Sequence, residues 1–384
     1  MDSAKRKGLS PKGNVPNLRF PEFQGEWEKK RLEKCVEFLD GLRKPIKSED
    51  RKSEQGLYPY YGASGIIDYI DGYIFDGEYI LLSEDGANII DRNYRVAFIA
   101  KGKIWVNNHA HVLQPYDGFD INFLSEALER LNYAVYNTGT TMPKLNQEVC
   151  RNINLKFPTT KEQNKIGNLL SLLNERISTQ NKIIEDLKKL KVAIIEKLYS
   201  EIKGKEYSYG QLFDVVNERN KQREYSNILS ASQEKGMVNR DDLNLDIQFE
   251  RSNINTYKIV RKGDYVIHLR SFQGGFAFSD KLGVCSPAYT ILRPNSLLEY
   301  GYLSNYFTSR SFIKSLIIVT YGIRDGRSIN VDEWLRMKIT IPPKEHQHYI
   351  VKVIGSFDRK IESEEAYTIH LSKQKQYLLR QLFI

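Results

Sequence analysis

A long repeat narrows the possible folds of this chain more than any other feature. The stretch PTTKEQNKIGNLLSLLNERISTQNKIIEDLKKLKVAIIEKLYS, from Pro158 to Ser200, matches PPKEHQHYIVKVIGSFDRKIESEEAYTIHLSKQKQYLLRQLF, which begins at Pro342. A constant offset of 184 pairs Pro158 with Pro342, Gln163 with Gln347, Ile166 with Ile350 and Ile177 with Ile361. It also pairs Leu187 with Leu371, Lys191 with Lys375 and Leu198 with Leu382. Apolar residues recur at steps of three and four in both copies. In the first they are Ile166, Leu169, Leu173, Ile177, Ile184, Leu187, Leu190, Ile194 and Leu198. In the second they are Ile350, Val353, Phe357, Ile361, Leu371, Leu378 and Leu382. That period predicts two long amphipathic helices. Neither has an internal proline, and each starts just after one, where a missing N–H is harmless. Heptads alone make helices look alike, but this match continues upstream into sequence with no heptad. Leu145-Asn146 pairs with Ile329-Asn330, and INLKFP with MKITIP, without a gap. The chain is an internal duplication.

Its 384 residues can hold two domains with sizeable cores. Lys and Arg total 57 against 48 Asp and Glu, a net charge of +9 that suits a polyanionic partner without requiring one. Cys35, Cys150 and Cys285 are widely spaced with no CxxC, which predicts reduced thiols and a cytoplasmic location. The N-terminus MDSAKRKGLSPKG lacks the apolar stretch of a signal peptide, and no run approaches the ~20 apolar residues of a membrane span.

Taken in order, residues 1–16 read as a flexible basic arm, 17–157 as a first α/β domain and 158–202 as the first long helix. Residues 203–341 then read as a second α/β domain and 342–384 as the second long helix. Each domain opens on a similar short element, with Leu32 opposite Leu212 and Val36 opposite Val216. EYILLSE, RVAFIAKGKIWVNN and HAHVLQP read as strands of the first domain, and INFLSEALERLNYAVY as its helix. YKIVRKGDYVIHL and AYTILRP read as strands of the second, and EYGYLSNYFTSRSFIKSL as its helix. Gly77-Glu78-Tyr79 matches Gly263-Asp264-Tyr265, Pro115 matches Pro294, and Leu124-Ser125 matches Leu303-Ser304. The loops between these landmarks share almost nothing. A kept scaffold with divergent loops suits two similar domains with different ligands.

NVPNLRFPEFQGEWEKKRL near the N-terminus, GTTMPKLN before the first helix and FPTTKEQNKI at its start carry a family likeness over essentially the whole chain. With this order of elements, the chain resembles the specificity subunit of type I DNA restriction–modification systems. The second copy departs from the pattern: IPPKEHQHYI has His346 where the first has Glu162. The resemblance implies two globular α/β target recognition domains, each reading one half of a bipartite, asymmetric site on double-stranded DNA. Two long helices paired as an antiparallel coiled coil would join them in a pseudo-twofold repeat. It implies no catalysis on this chain and no cofactor of its own. Two copies of a modification (methyltransferase) subunit would supply S-adenosylmethionine chemistry, and restriction subunits would use ATP and Mg. Two alternatives remain: the specificity chain of a combined restriction–methylation system, or a coiled-coil scaffold with non-specific DNA binding.

The residues themselves agree on catalysis. There is no GxxxxGK[ST], and the sole Pro-Pro pair, Pro342-Pro343, follows Ile341 rather than the Asn or Asp of an adenine methyltransferase tetrapeptide. The alternation in His109-Ala110-His111 places both rings on one strand face, yet no Cys or carboxylate cluster completes a zinc set, so no metal is expected. DNA contacts are therefore expected from loops. TGTTMPKLN offers Lys144, and TYGIRDGRSIN offers Arg324 and Arg327, each beside a glycine that lets backbone approach a phosphate. The competing reading is a tight turn with solvated charges. For base reading, Arg270 suits guanine and Gln273 adenine in LRSFQGG. Tyr61 and Ser64 in YYGASG, with Asn108 and His109, are the polar choices in the first domain.

Overall fold

The computed structural model describes residues 13–51, 56–232, 235–242, 251–268, 275–321 and 328–384. The chain divides into two compact units, Met1–Asn181 with Ala366–Ile384, and Lys182–Glu365.

The first unit holds β1 (Glu28–Arg31), β2 (Val36–Phe38), β3 (Tyr58–Gly62), β4 (Gly65–Ile70), β5 (Phe75–Ser83), β6 (Ala97–Val106), β7 (Ala110–Pro115) and β8 (Asn154–Phe157). Six of these form one sheet in the order β2-β7-β5-β6-β3-β4, while β1 and β8 pair separately. Along β5 the side chains alternate between two cores, as strand geometry requires. Ile80 and Leu82 face a layer that includes Trp27, Phe123, Leu124 and Ile166, whereas Tyr79 and Leu81 face Phe75, Ile104 and Val112. The helix Ile121–Glu129 lies on the first face, capped by Asp120, whose carboxylate accepts the Phe123 N–H.

The second unit holds β9 (Lys205–Ser208), β10 (Phe213–Val216), β11 (Leu229–Ser232), β12 (Gly236–Asn239), β13 (Lys258–Val260), β14 (Tyr265–Ile267), β15 (Phe276–Phe278), β16 (Gly283–Cys285) and β17 (Thr290–Pro294). It ends with β18 (Thr320–Tyr321), β19 (Ser328–Ile329) and β20 (Lys338–Ile341). Its central sheet runs β10-β17-β14-β15. One face packs on Tyr209, Phe307, Phe312 and Trp334, the other on Met237 and Val260. The expected single helix over residues 299–316 is broken instead. Gly301 has φ +72, and Ser309 then caps a new short helix, Arg310–Ser315.

The two units repeat one bonding frame. Antiparallel β1–β8 corresponds to β9–β20. Leu32 N–H donates to the Ile153 carbonyl, and Tyr209 N–H to Met337. Val36 lies across from Pro115, and Phe213 from Pro294. These bonds correct the sequence alignment: Leu32 corresponds to Tyr209 and Val36 to Phe213, three residues from the expected partners. The Gly-Glu-Tyr landmark is also one residue out, because Ile80 pairs with Leu113 as Tyr265 pairs with Leu292. A one-residue slip in a strand reverses its faces. Tyr79 accordingly lies on the opposite face of its own sheet from the face that Tyr265 takes in the second unit's sheet.

The long helices span Thr160–Ser200 and Lys344–Leu382, starting at equivalent positions. Ile166 and Leu170 enter the first unit's core, as Ile350 and Ile354 enter the second's. Gly167 is required by close approach, since a Cβ there would meet Asp120 Oδ1 at 2.1 Å. The expected apolar stripe holds at Ile184, Ile361 and Leu371 but not at Leu190, which is exposed. In the first unit, Arg176 stacks on Tyr367, while Leu170 and Leu382 share its core. In the second, Lys188 pairs with Glu365 and Lys191 with Asp358. Within each unit, the two helix segments therefore run in opposite directions.

Of the expected basic arm, residues 1–12 lie outside the described residues. Residues 13–16 are tied down, with Pro16 buried and the Asn14 carbonyl accepting the Trp27 N–H. Further along, Arg19 forks onto Glu162 at 2.9 and 2.7 Å. The Glu162 side chain is fully buried. In the second unit only residues 201–204 lie between the first long helix and β9, so no stretch like NLRFPEF precedes that strand. His346, at Glu162's position, is exposed. Residues 201–204 carry no arginine to take Arg19's place, and a glutamate buried without such a partner would be costly. Arg19→Ala should lower the unfolding free energy of the first unit by about 3–5 kcal/mol. Arg19→Ala with Glu162→Gln should recover much of that loss in urea denaturation, because no buried charge then remains unpaired.

Candidate nucleic-acid interface

Four loops of the first unit meet at one end of its sheet. They are the β3–β4 turn, the segment after β5, the β6–β7 turn and residues 137–147. Ser83 Oγ donates to the Ala63 carbonyl at 2.6 Å. Asn107 N–H donates to the Tyr61 carbonyl, and Glu84 N–H to His109. The Gly86 N–H donates to Pro143, and the Leu145 N–H to Glu84. Asn137 Oδ1 accepts from the N–H groups of Gly139 and Lys144, closing the TGTTMPK loop into a tight turn. Glycine is needed in this turn, since a Cβ at Gly139 would lie 1.8 Å from the Met142 carbonyl oxygen.

A buried ionic network fastens these loops from beneath. His111 is 1% exposed. Its Nδ1 donates to Asp40 at 2.6 Å and its Nε2 to the Leu145 carbonyl at 2.8 Å. Asp40 also accepts from Val112 N–H and from Gln147 Nε2. Arg43 bonds Glu84 at 2.8 Å, and Lys144 lies 3.5 Å from the same carboxylate. Burial alone would keep His111 neutral, but the bond to Asp40 and the contact with Cys150 outweigh it and raise its pKa to about 10. Burial likewise opposes ionisation of Asp40, yet His111, the Val112 N–H and Arg43 hold its carboxyl below the usual range.

Asp40, Glu84 and His111 place potential ligand atoms within 4.8 Å of one another. The set does not fit a metal. Both His111 nitrogens are spent as donors, leaving no lone pair, and the carboxylates are already matched by Arg43, Lys144 and the imidazolium.

The structure brings Tyr61, Ser64, Asn108, His109 and Lys144 to this one end of the sheet. Ser64, Asn108, His109 and Lys144 are exposed. Tyr61 is half-buried against Phe98, and burial raises its hydroxyl pKa. The expectation that His109 and His111 share a strand face is corrected. His109 belongs to the turn before β7 and is half exposed, whereas His111 is inside the strand and buried. Arg270, Gln273, Arg324 and Arg327 lie outside the described residues. Sequence reasoning missed Asp40, Arg43, Glu84, Asp85 and Gln147. A +9 chain directs attention to cations, and only the Ser83-Glu84-Asp85-Gly86 run after a strand signalled a loop there. The three cysteines are buried and unpaired. Among the described residues, no helix is long and apolar enough to cross a membrane.

The sequence matches the type I restriction modification DNA specificity domain twice, over residues 24–189 and 204–372. This chain belongs to the type I restriction–modification specificity family. A Haemophilus influenzae protein named as a type I restriction enzyme specificity subunit is 27% identical over 87% of both chains. The MjaVIII specificity subunit of Methanocaldococcus jannaschii is 24% identical over 95% of this chain and 93% of its own. The crystal structure of an S subunit from M. genitalium superposes with a TM-score of 0.63 at 16% identity, covering 96% of this chain and 99% of that one. The chain is thus a specificity subunit with two target recognition domains, and the sequence resemblance holds.

One outcome follows from the buried network. The folded state keeps a proton on His111 that the unfolded chain loses above its ordinary pKa of 6.5. Stability contributed by His111 is therefore fully present below pH 6.5 and declines as pH rises towards 10. His111→Asn should remove that decline. Urea midpoints of wild type and variant should differ most near pH 6 and converge near pH 10.

Proposed function

We propose that this specificity subunit reads a bipartite, asymmetric site on double-stranded DNA, one half per target recognition domain, the domains being residues 17–157 and 203–341. Two modification subunits would dock on it and carry S-adenosylmethionine and the methyl transfer. Restriction subunits would carry ATP and Mg, leaving this chain without catalysis or a cofactor of its own. A cytoplasmic location follows from that role. The carrying observation is the repeated frame of β1–β8 and β9–β20 beside loops that do not repeat. One scaffold used twice suits the local dyad of duplex DNA, and unlike loops suit unlike half-sites. Exposed Ser64, Asn108, His109 and Lys144 gathered on one rim support the first reader.

In this reading, the helices Thr160–Ser200 and Lys344–Leu382 form an antiparallel coiled coil that acts as a ruler, with pseudo-twofold symmetry. A helix of 41 residues at ~1.5 Å per residue is roughly 60 Å long, which suffices for half-sites one DNA turn, ~34 Å, or more apart. Removing two turns, about seven residues, from each helix at facing positions should shorten the non-specific spacer by about three base pairs and keep both half-sites. Methylation-site sequencing reads the outcome, and an unchanged spacer would refute the ruler.

Lys144, half exposed beside a glycine turn, is assigned to a phosphate. Lys144→Ala should weaken binding to all sequences alike and reduce the slope of log affinity against log salt by about one. A loss confined to one base position would place Lys144 on a base edge instead.

A further inference from the structure

We infer that His109 reads a base edge in the half-site facing the first unit, and that Asp85 is the residue that aims it. This rests on the DNA-reading function proposed above. His109 Nδ1 lies 2.8 and 2.9 Å from the two carboxylate oxygens of Asp85. Its side chain is 50% exposed against 25% for Asp85. Both residues stand on pinned backbone. The His109 N–H donates to Asn107 Oδ1 at 2.8 Å, and its carbonyl accepts the Glu84 N–H. Asp85 forms a β-bridge with Lys144.

A ring nitrogen bonded to a carboxylate carries the proton. With the Nδ1 proton on the carboxylate side, the tautomer this geometry selects has its lone pair on Nε2. That atom has no partner among the described residues. The protein thus presents a hydrogen-bond acceptor at a set position on the rim that also bears Lys144, the cation assigned to a phosphate. An acceptor in the major groove complements an exocyclic amino group, adenine N6 or cytosine N4. A carboxylate directed at the groove would be repelled by the phosphates. Here the carboxylate lies behind the ring and acts through it, so Asp85 is a positioning residue. An ordinary exposed hydrogen-bonded pair joins two rotating side chains and fixes neither. This pair has anchored main chain on both sides.

The test is selection from a randomised duplex DNA library by the chain assembled with its modification subunits, comparing wild type, His109→Ala and Asp85→Asn. Wild type should favour adenine or cytosine at one position of one half-site. His109→Ala should lose roughly tenfold or more of that preference. Its other half-site should stay unchanged, which shows that the complex has assembled. Asp85→Asn, whose amide can present either a donor or an acceptor to Nδ1, should relax the same position to a smaller degree. Purine in place of adenine, or 2-pyrimidinone in place of cytosine, should weaken wild type by the same factor and leave His109→Ala unaffected. Three results would overturn the inference: preferences intact at every position in His109→Ala, an equal loss on all sequences with a shallower salt dependence, or a selected base offering only acceptors. A wild-type complex that selects no sequence at all would instead sink the proposed function.

Discussion

A glutamine at the start of each long helix holds the architecture together. Gln163 Oε1 accepts the Asp120 N–H at 3.1 Å, while its Nε2 donates to the Pro158 carbonyl at 3.0 Å. Gln347 repeats this with the Glu299 N–H at 2.7 Å and the Pro342 carbonyl at 3.0 Å, and adds the Leu297 carbonyl. Both side chains are buried. Buried amides left unmade cost about 1–3 kcal/mol each, so each glutamine is confined to one geometry. That geometry joins the turn before the helix to the segment leaving the sheet. The Glu-Gln motif is thus a structural clamp, and its two halves have different fates. The glutamine serves a junction present twice. The glutamate serves Arg19, which is present once.

This difference bears on what could be read beforehand. The long helices and their shared start were legible because their match has no gaps and a helix keeps register over any length. Register within the domains was less legible. Leu32 against Tyr209 is an aliphatic residue matched to an aromatic one, so similarity alone slid the alignment to Leu212. Main-chain bonds to Ile153 and Met337 ignore side-chain identity and restore the pairing. The second domain's helix failed for a local reason: Gly301 and Ser309 act as breaker and cap within a sequence whose apolar spacing still looks helical.

The rim of the first unit was half legible. Its exposed polar residues follow from turn chemistry, so Ser64, Asn108, His109 and Lys144 could be named. The network under them could not, because Asp40, Glu84, His111 and Gln147 are scattered over more than a hundred positions. Their meeting is a property of the sheet. Spacing on the strand suggested that His109 and His111 behave alike. Depth separated them, giving one a water-facing nitrogen and the other a locked charge. Removing any one member of such a network would leave buried charge unpaired, which ties these loops to a single arrangement.

Phe383 stacks on Phe123 with ring centroids 4.9 Å apart and meets Trp27 edge-on. Leu382 and Phe383 are both buried in the same core, and the Leu18 N–H donates to the Gln381 carbonyl. The first domain is therefore closed by residues that follow the second domain in the chain. Until the second domain has been synthesised, the first has an open apolar seam around Trp27 and Phe123. The second unit, continuous from Lys182 to Glu365, carries no such debt. Order of synthesis and order of completion are thus reversed in this chain, which makes its first half the one exposed to aggregation or to chaperone capture while translation continues.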